Sequence, residues 1–230
     1  KAYWSNGGQV IAPHDKGIIA EVESAERIPQ VDFQQAVADG RINIVGEEVD
    51  RAYIDAVVAL SQSPNRDISA VFTPLHGVGE TSIWKVIKQA GFNINIFEEH
   101  RTADGDFPNV PKQLPNPELL AVFDPVIDWV NANDHSAELI LASDPDADRL
   151  GVMARDSSGV FTPLSGNQIG ALLTDYLLRK RATAGRLRSE DYVVETLVTT
   201  PLIRAVAEGH GAQAVYELLV GFKYLSLIHI

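Results

Sequence analysis

Residues 68–97, ISAVFTPLHGVGETSIWKVIKQAGFNINIF, pass from a strand-like run to a helical one and back. Ile68–Phe72 is short and mostly apolar, and Pro74–Gly79 has the proline and glycines of a turn. Ile83, Trp84, Ile87 and Ala90 then recur at helical spacing, with Gly91 where a helix would end. Asn93–Phe97 alternates as a second strand. Strand, helix and strand in that order predict a mainly parallel sheet covered by helices, an α/β fold.

Downstream the alternation continues. Residues 101–117 hold Pro108, Pro111, Pro115 and Pro117 among polar residues and read as a loop over a surface or a domain seam. Leu119, Leu120, Phe123, Ile127 and Val130 restart a helical stripe, which Pro125 should kink or split. Glu138–Ala142, Leu150–Ala154 and Val160–Leu164 read as strands, the last two separated by a turn at 156–159. Ser165–Gln168 is a capping box, after which Ile169, Leu172, Leu173, Tyr176 and Leu177 mark one face of a helix ending in Arg179, Lys180 and Arg181. Tyr192–Leu197, Pro201–Glu208 and Ala212–Leu219 repeat strand, helix and strand.

The 230 residues, 45% hydrophobic and 22% charged, suffice for one large core or two modest ones. No apolar run has the length of a bilayer span, and KAYWSNGGQV lacks the apolar core of a secretory signal. With 19 basic against 31 acidic side chains and a net charge of −12, the chain has no electrostatic basis for gripping nucleic-acid phosphates. The absence of cysteine excludes disulfides, thiolate zinc sites, iron–sulfur clusters and a cysteine nucleophile.

The chemistry concentrates in Asp144-Pro145-Asp146-Ala147-Asp148-Arg149, between two strands. Three carboxylates at i, i+2 and i+4 repel one another unless a cation offsets them, and hard oxygen donors suit Mg²⁺. An EF-hand would need glycine and glutamate where Arg149 and Arg155 stand. A solvated acidic turn is the plain alternative, against which the adjacent arginine and the flanking apolar strands weigh. Arg149 cannot ligate a metal but suits a phosphate oxygen or sugar hydroxyl beside one; a salt bridge offsetting the aspartates is its other role. Metal with arginine points to phosphoryl transfer. Gly77 and Gly79 in FTPLHGVGE, with Glu98 farther on, match a dinucleotide fingerprint only in part, since Ser82 replaces its third glycine; no phosphate-binding GxxxxGK[ST] occurs. His76 reads as a hydrogen-bonded turn histidine.

Ser143–Arg149 with Leu150-Gly151-Val152 resembles the metal-binding loop of the α-D-phosphohexomutases, the phosphoglucomutase and phosphomannomutase superfamily. KAYWSNGGQVIAPHDKGI resembles the segment that follows the family's phosphoserine loop, and FTPLHGVGE, DFPNVPKQLPNPE, LSGNQIGALLTDYLL and VGFKY are similar to stretches of its phosphoglucomutase and phosphopentomutase branch, so the likeness runs from residue 1 to about 225. The loop departs from the family in Pro145, where glycine is commoner. The resemblance implies mixed three-layer α/β sandwich domains: the tail of a first domain and a linker at 1–45, a second domain with the metal loop at 46–164, and a truncated third at 165–225. Residues 226–230 read as an extraneous tail. It implies Mg²⁺ on Asp144, Asp146 and Asp148, Arg149 as a catalytic and substrate-binding residue, and Lys223 contacting the sugar phosphate.

The implied reaction interconverts sugar 1-phosphate and 6-phosphate, or 5-phosphate, through a phosphoserine and a bisphosphate intermediate. Phosphoglucomutase leads, with glucose 1-phosphate and glucose 6-phosphate as partners and the cytoplasm as location. Neither the Ser-His-Asn-Pro phosphoserine loop nor the Gly-Glu-Glu-Ser-Gly sugar-selecting loop occurs in the 230 residues. The chain therefore reads as part of such an enzyme, without turnover by itself. A nucleotide-binding oxidoreductase domain on Gly77, Gly79 and Glu98, or a noncatalytic Mg²⁺ or phosphate-binding module, stands as the alternative.

Overall fold

The computed structural model describes residues 2–5, 7–133, 136–221 and 224. Three helices, α1 (His14–Glu23), α2 (Phe33–Ala38) and α3 (Glu47–Val58), precede the first strand. Asp32 caps α2 by accepting from the Gln35 amide at 2.8 Å, and Glu47, Glu48 and Asp50 in the first turn of α3 suit its positive end. No residue of α1 is buried, and its Ile18, Ile19 and Val22 are exposed.

Residues 45–169 form one compact unit. Strand β1 (Ser69–Thr73) leads through one π-helical turn, Glu80–Trp84, into α4 (Lys85–Gln89) and then β2 (Asn93–Ile96). After the proline-rich segment come α5 (Asp124–Asn133), β3 (Leu139–Ser143), β4 (Leu150–Arg155) and β5 (Phe161–Leu164). The strands lie in the order β2-β1-β3-β4-β5. β1 is parallel to both neighbours, with Val71 opposite Asn95 and Ile140, whereas β3–β4 and β4–β5 are antiparallel. The sheet is thus mixed and not mainly parallel. Six residues between β3 and β4 are too few for the helical crossover a parallel pair requires. The next connection is a hairpin, in which the Asp156 carboxylate accepts from the Ser158 and Val160 amides and Gly159 takes φ +86°. Pro163 is tolerated because β5 is an edge strand.

Alternation along β1 and β3 divides the interior into two cores. Val71, Ile140 and Ala142 face Phe123, Val126 and Val130, while Ala70, Phe72, Leu139 and Leu141 face Ile83, Trp84 and Ile87. All five residues of β1 are buried, as a central strand covered by helices on both faces should be. This is the three-layer α/β sandwich. Pro125 does not kink a long helix. The stripe divides into a 3₁₀ turn at Leu120–Val122 and then α5, whose first turn carries the proline where its missing N–H is not needed.

Residues up to 44 and from 170 form the other compact unit. The capping box stands at the start of α6 (Gly166–Thr183): Gln168 Oε1 accepts from the Ser165 amide at 2.8 Å and the Gln168 amide reaches Ser165 Oγ at 3.3 Å. β6 (Tyr192–Thr196), α7 (Leu202–Gly209) and β7 (Gln213–Leu218) make a parallel strand–helix–strand unit around Leu178, Ala207 and Ala212. The buried side of α6 is not the expected one: Leu172, Leu173 and Leu177 are exposed, and Ala171 and Leu178 are buried. The Ile203 side chain of α7 comes 2.9 Å from where a Cβ on Gly170 would lie, and this close approach rotates the small-residue face inward. Among the described residues no helix is long and apolar enough to cross a membrane.

Candidate metal and phosphate site

Ligands of α/β sheets gather beyond the carboxyl ends of parallel strands. There the turn after β1 and the loop after β3 interlock. The Val78 amide donates to the Pro145 carbonyl at 2.9 Å. A Cβ on Gly77 would stand 2.2 Å from Pro145 Cα, and one on Gly79 would stand 2.4 Å from Ser143 Oγ. Gly77 is therefore required by the backbone of the acidic loop, and Gly79 by the side chains of Ser143 and Phe72 beneath it. The turn is thus packed directly against the acidic loop, and Glu98 pairs with Arg101 at 2.8 Å.

Asp144, Asp146 and Asp148 each bring a carboxylate oxygen within 4.8 Å of the others, with Asp144 buried and the other two exposed. The loop turns at Ala147, φ +59°, whose amide donates to the Asp144 carbonyl at 2.9 Å. Asp144 is held most firmly. Its Oδ1 accepts from the Arg149 amide at 2.9 Å and its Oδ2 from Arg149 Nε at 2.7 Å. Burial by itself would raise the Asp144 carboxyl, but the Arg149 amide and guanidinium and a contact with Asp146 outweigh it, leaving its pKa below the ordinary carboxylate value. The donor set fits a hard divalent cation: three carboxylates on one loop, one fixed ionised in the interior, with lone pairs left on each.

The proline-rich segment closes a third side. Arg149 Nη1 donates to Asn116 Oδ1 at 3.0 Å, and the Pro117 carbonyl lies 2.5 Å from where a Cβ on Gly151 would be. His100 anchors the same segment to the end of β1: fully buried, it meets Thr73 Oγ1 through Nδ1 at 2.9 Å and donates from Nε2 to the Asn109 carbonyl at 3.0 Å. Burial keeps the His100 ring below its usual pKa, against the pull of that carbonyl. His76 is the turn histidine expected, donating from Nδ1 to the Thr102 carbonyl at 2.7 Å, with its buried Nε2 unpartnered among the described residues.

Asp144, Asp146, Asp148 and Arg149 are thus brought together, while Lys223 lies outside the described residues, as do 226–230. Asn116 and Glu118, beside Arg149, and His100, which anchors their segment, are residues that the sequence did not single out. A histidine in the charged run EEHR has the look of a surface residue, and only the asparagine before Pro117 hinted at a local turn.

The fold is shared with known proteins. Residues 51–159 match the family model for phosphoglucomutase/phosphomannomutase α/β/α domain II, and 165–226 match that for domain III. The chain is 32% identical over 226 residues to a Haemophilus influenzae protein named "Probable phosphomannomutase", covering 97% of this chain and 44% of that one. It is 31% identical over 243 residues to the human phosphopentomutase, covering 98% and 38%. A crystal structure of a phosphoglucomutase/phosphomannomutase family protein from Burkholderia thailandensis shares the fold, with a TM-score of 0.62 and 19% identity over 84% of this chain and 39% of that one. The chain spans less than half the length of the curated relatives it matches.

Proposed function

Because the chain belongs to the phosphoglucomutase/phosphomannomutase family of the α-D-phosphohexomutase superfamily, we propose that it carries the metal and phosphate site of a Mg²⁺-dependent phosphosugar mutase. The observation that carries this reading is the convergence of three carboxylates with a doubly held arginine at the carboxyl end of β3. Asp144, Asp146 and Asp148 hold the ion. When bound, it offsets negative charge on a transferring phosphoryl group. Asp144, ionised and fixed by Arg149, gives the loop its shape before any ligand arrives. Arg149, with its side chain 46% exposed, presents its remaining donors to a phosphate oxygen or reacting hydroxyl. Lys223 contacts the sugar phosphate.

The reaction is the exchange of a phosphoryl group between the 1-position and the 6- or 5-position of a sugar, through a phosphoserine and a bisphosphate. Relatives named for mannose and pentose phosphates support the class; among substrates we place glucose 1-phosphate first. Residues 1–45 are then the end of a first domain and a linker, 46–164 the second domain and 165–225 part of a third. The cytoplasm is the site of action. Turnover requires a phosphoserine loop, so the 230 residues by themselves should be inactive. The test is turnover of glucose, mannose and ribose 1-phosphates by the protein that contains this chain together with such a loop. Conversion of at least one, lost by about 10²-fold or more in Asp146→Asn, is expected; conversion of none would refute the reading.

A further inference from the structure

We propose that Asn116 is a positioning residue for Arg149, fixing the guanidinium so that its Nη2 donors are left for the anion bound beside the Asp144–Asp148 loop. The inference rests on the reading of that loop as a metal and phosphate site. An arginine side chain 46% exposed would ordinarily sample many rotamers, and its order is lost entropy that something must offset. Here two separate nitrogens are held: Nε by Asp144 Oδ2 at 2.7 Å and Nη1 by Asn116 Oδ1 at 3.0 Å. Two contacts on a planar group fix its plane as well as its direction. Nη2 has no hydrogen-bond partner among the described residues.

Asn116 is itself immobilised. Its Oδ1 also accepts from the Glu118 amide at 3.0 Å, its own amide donates to the Leu114 carbonyl at 2.8 Å, and its carbonyl accepts from the Leu119 amide at 3.0 Å. The buried Pro117 next to it abuts Gly151, so this turn cannot slide along β4 without moving the strand that begins one residue after Arg149. A neutral amide oxygen orients the guanidinium without neutralising it, whereas a carboxylate there would compete with an incoming phosphate.

The test uses the 230-residue chain loaded with Mn²⁺, with inorganic phosphate as the probe, followed by ³¹P line broadening in Asn116→Ala, Asn116→Ser, Arg149→Ala and Asp146→Asn. Serine keeps an oxygen for the Glu118 amide but is too short to reach Nη1, which separates loop order from positioning and decides the matter if the alanine variant fails to fold. Both Asn116 variants should lose about three- to tenfold in phosphate affinity, the scale of one hydrogen bond, with Mn²⁺ affinity within about twofold of wild type. Full phosphate affinity in Asn116→Ser, with a loss in Arg149→Ala, would overturn the role of Asn116 and leave the site standing. Unchanged phosphate binding in Arg149→Ala, or unchanged Mn²⁺ binding in Asp146→Asn, would overturn the reading of the loop and this inference with it.

Discussion

Replacing Arg149 by alanine should destabilise the fold as well as the reaction, because the residue has two jobs. Its Nε reaches Asp144 Oδ2 at 2.7 Å, and the Asp144 side chain is only 3% exposed. Removing one partner of a fully buried pair costs about 3–5 kcal/mol, since the remaining charge is stranded. Two features reduce that here. The Arg149 side chain is 46% exposed, so water already screens the pair, and the backbone amide of residue 149 continues to donate to Oδ1 at 2.9 Å. About 1–2 kcal/mol at pH 7 is the consequence, or about 2–8 °C in Tm for a chain of this size. The sign with pH follows from the lowered pKa of Asp144. A depressed carboxylate contributes stability above its unfolded value, about 3.9, and loses it as pH falls through the folded value. The gap between wild type and Arg149→Ala, measured by urea unfolding, should therefore be open at pH 7 and close on acidification below about pH 4. Saturating Mg²⁺ should narrow it, by giving Asp144 another cation. Equal stability of the two proteins at pH 7, or a gap unchanged in acid, would show that the Arg149–Asp144 pair does not stabilise the fold.

Gly77→Ala must displace the Pro145 backbone, which its Cβ would meet at 2.2 Å, and should cost about 1–3 kcal/mol and weaken Mn²⁺ binding in calorimetry. Gly166→Ala, with nothing within 4 Å, should change stability by no more than about 0.5 kcal/mol. The buried His100 ring should titrate by NMR below its unfolded value of about 6.5, so that stability falls as pH drops through that value; titration at or above it would contradict the burial argument. Ser165→Ala removes the α6 cap and should lower stability by about 1 kcal/mol in urea unfolding, with no effect on Mn²⁺ affinity.

Strands and helices from residue 68 onward were legible because β1 and β3 are short, apolar and bounded by turn residues, and because the Ser165–Gln168 box states its own geometry. The direction of β4 was not legible in the same way. Periodicity distinguishes strand from helix, and only the six-residue loop before Leu150 decides parallel against antiparallel. α6 misled because leucines 172, 173 and 177 outweigh Gly170 and Ala171 in any apolar count, yet the close approach of Ile203 turned on the small residues. At the site, the aspartates and Arg149 declare themselves by spacing along one loop. Asn116 and His100 act across sequence separations of 33 and 27 residues, to Arg149 and Thr73, and no local pattern encodes such a contact.

Everything assigned to this site depends on whether the acidic loop binds a divalent cation. Titration of Mn²⁺ into the 230-residue chain, followed by loss of the free-ion electron paramagnetic resonance signal, reads this without any need for turnover. Asp146 is exposed, so Asp146→Asn tests the ligand set with little risk to the fold. One weak Mn²⁺ site, displaced by Mg²⁺ and abolished in Asp146→Asn, is expected; no binding by the wild type, or equal affinity in the variant, would show that these aspartates do not form a metal site.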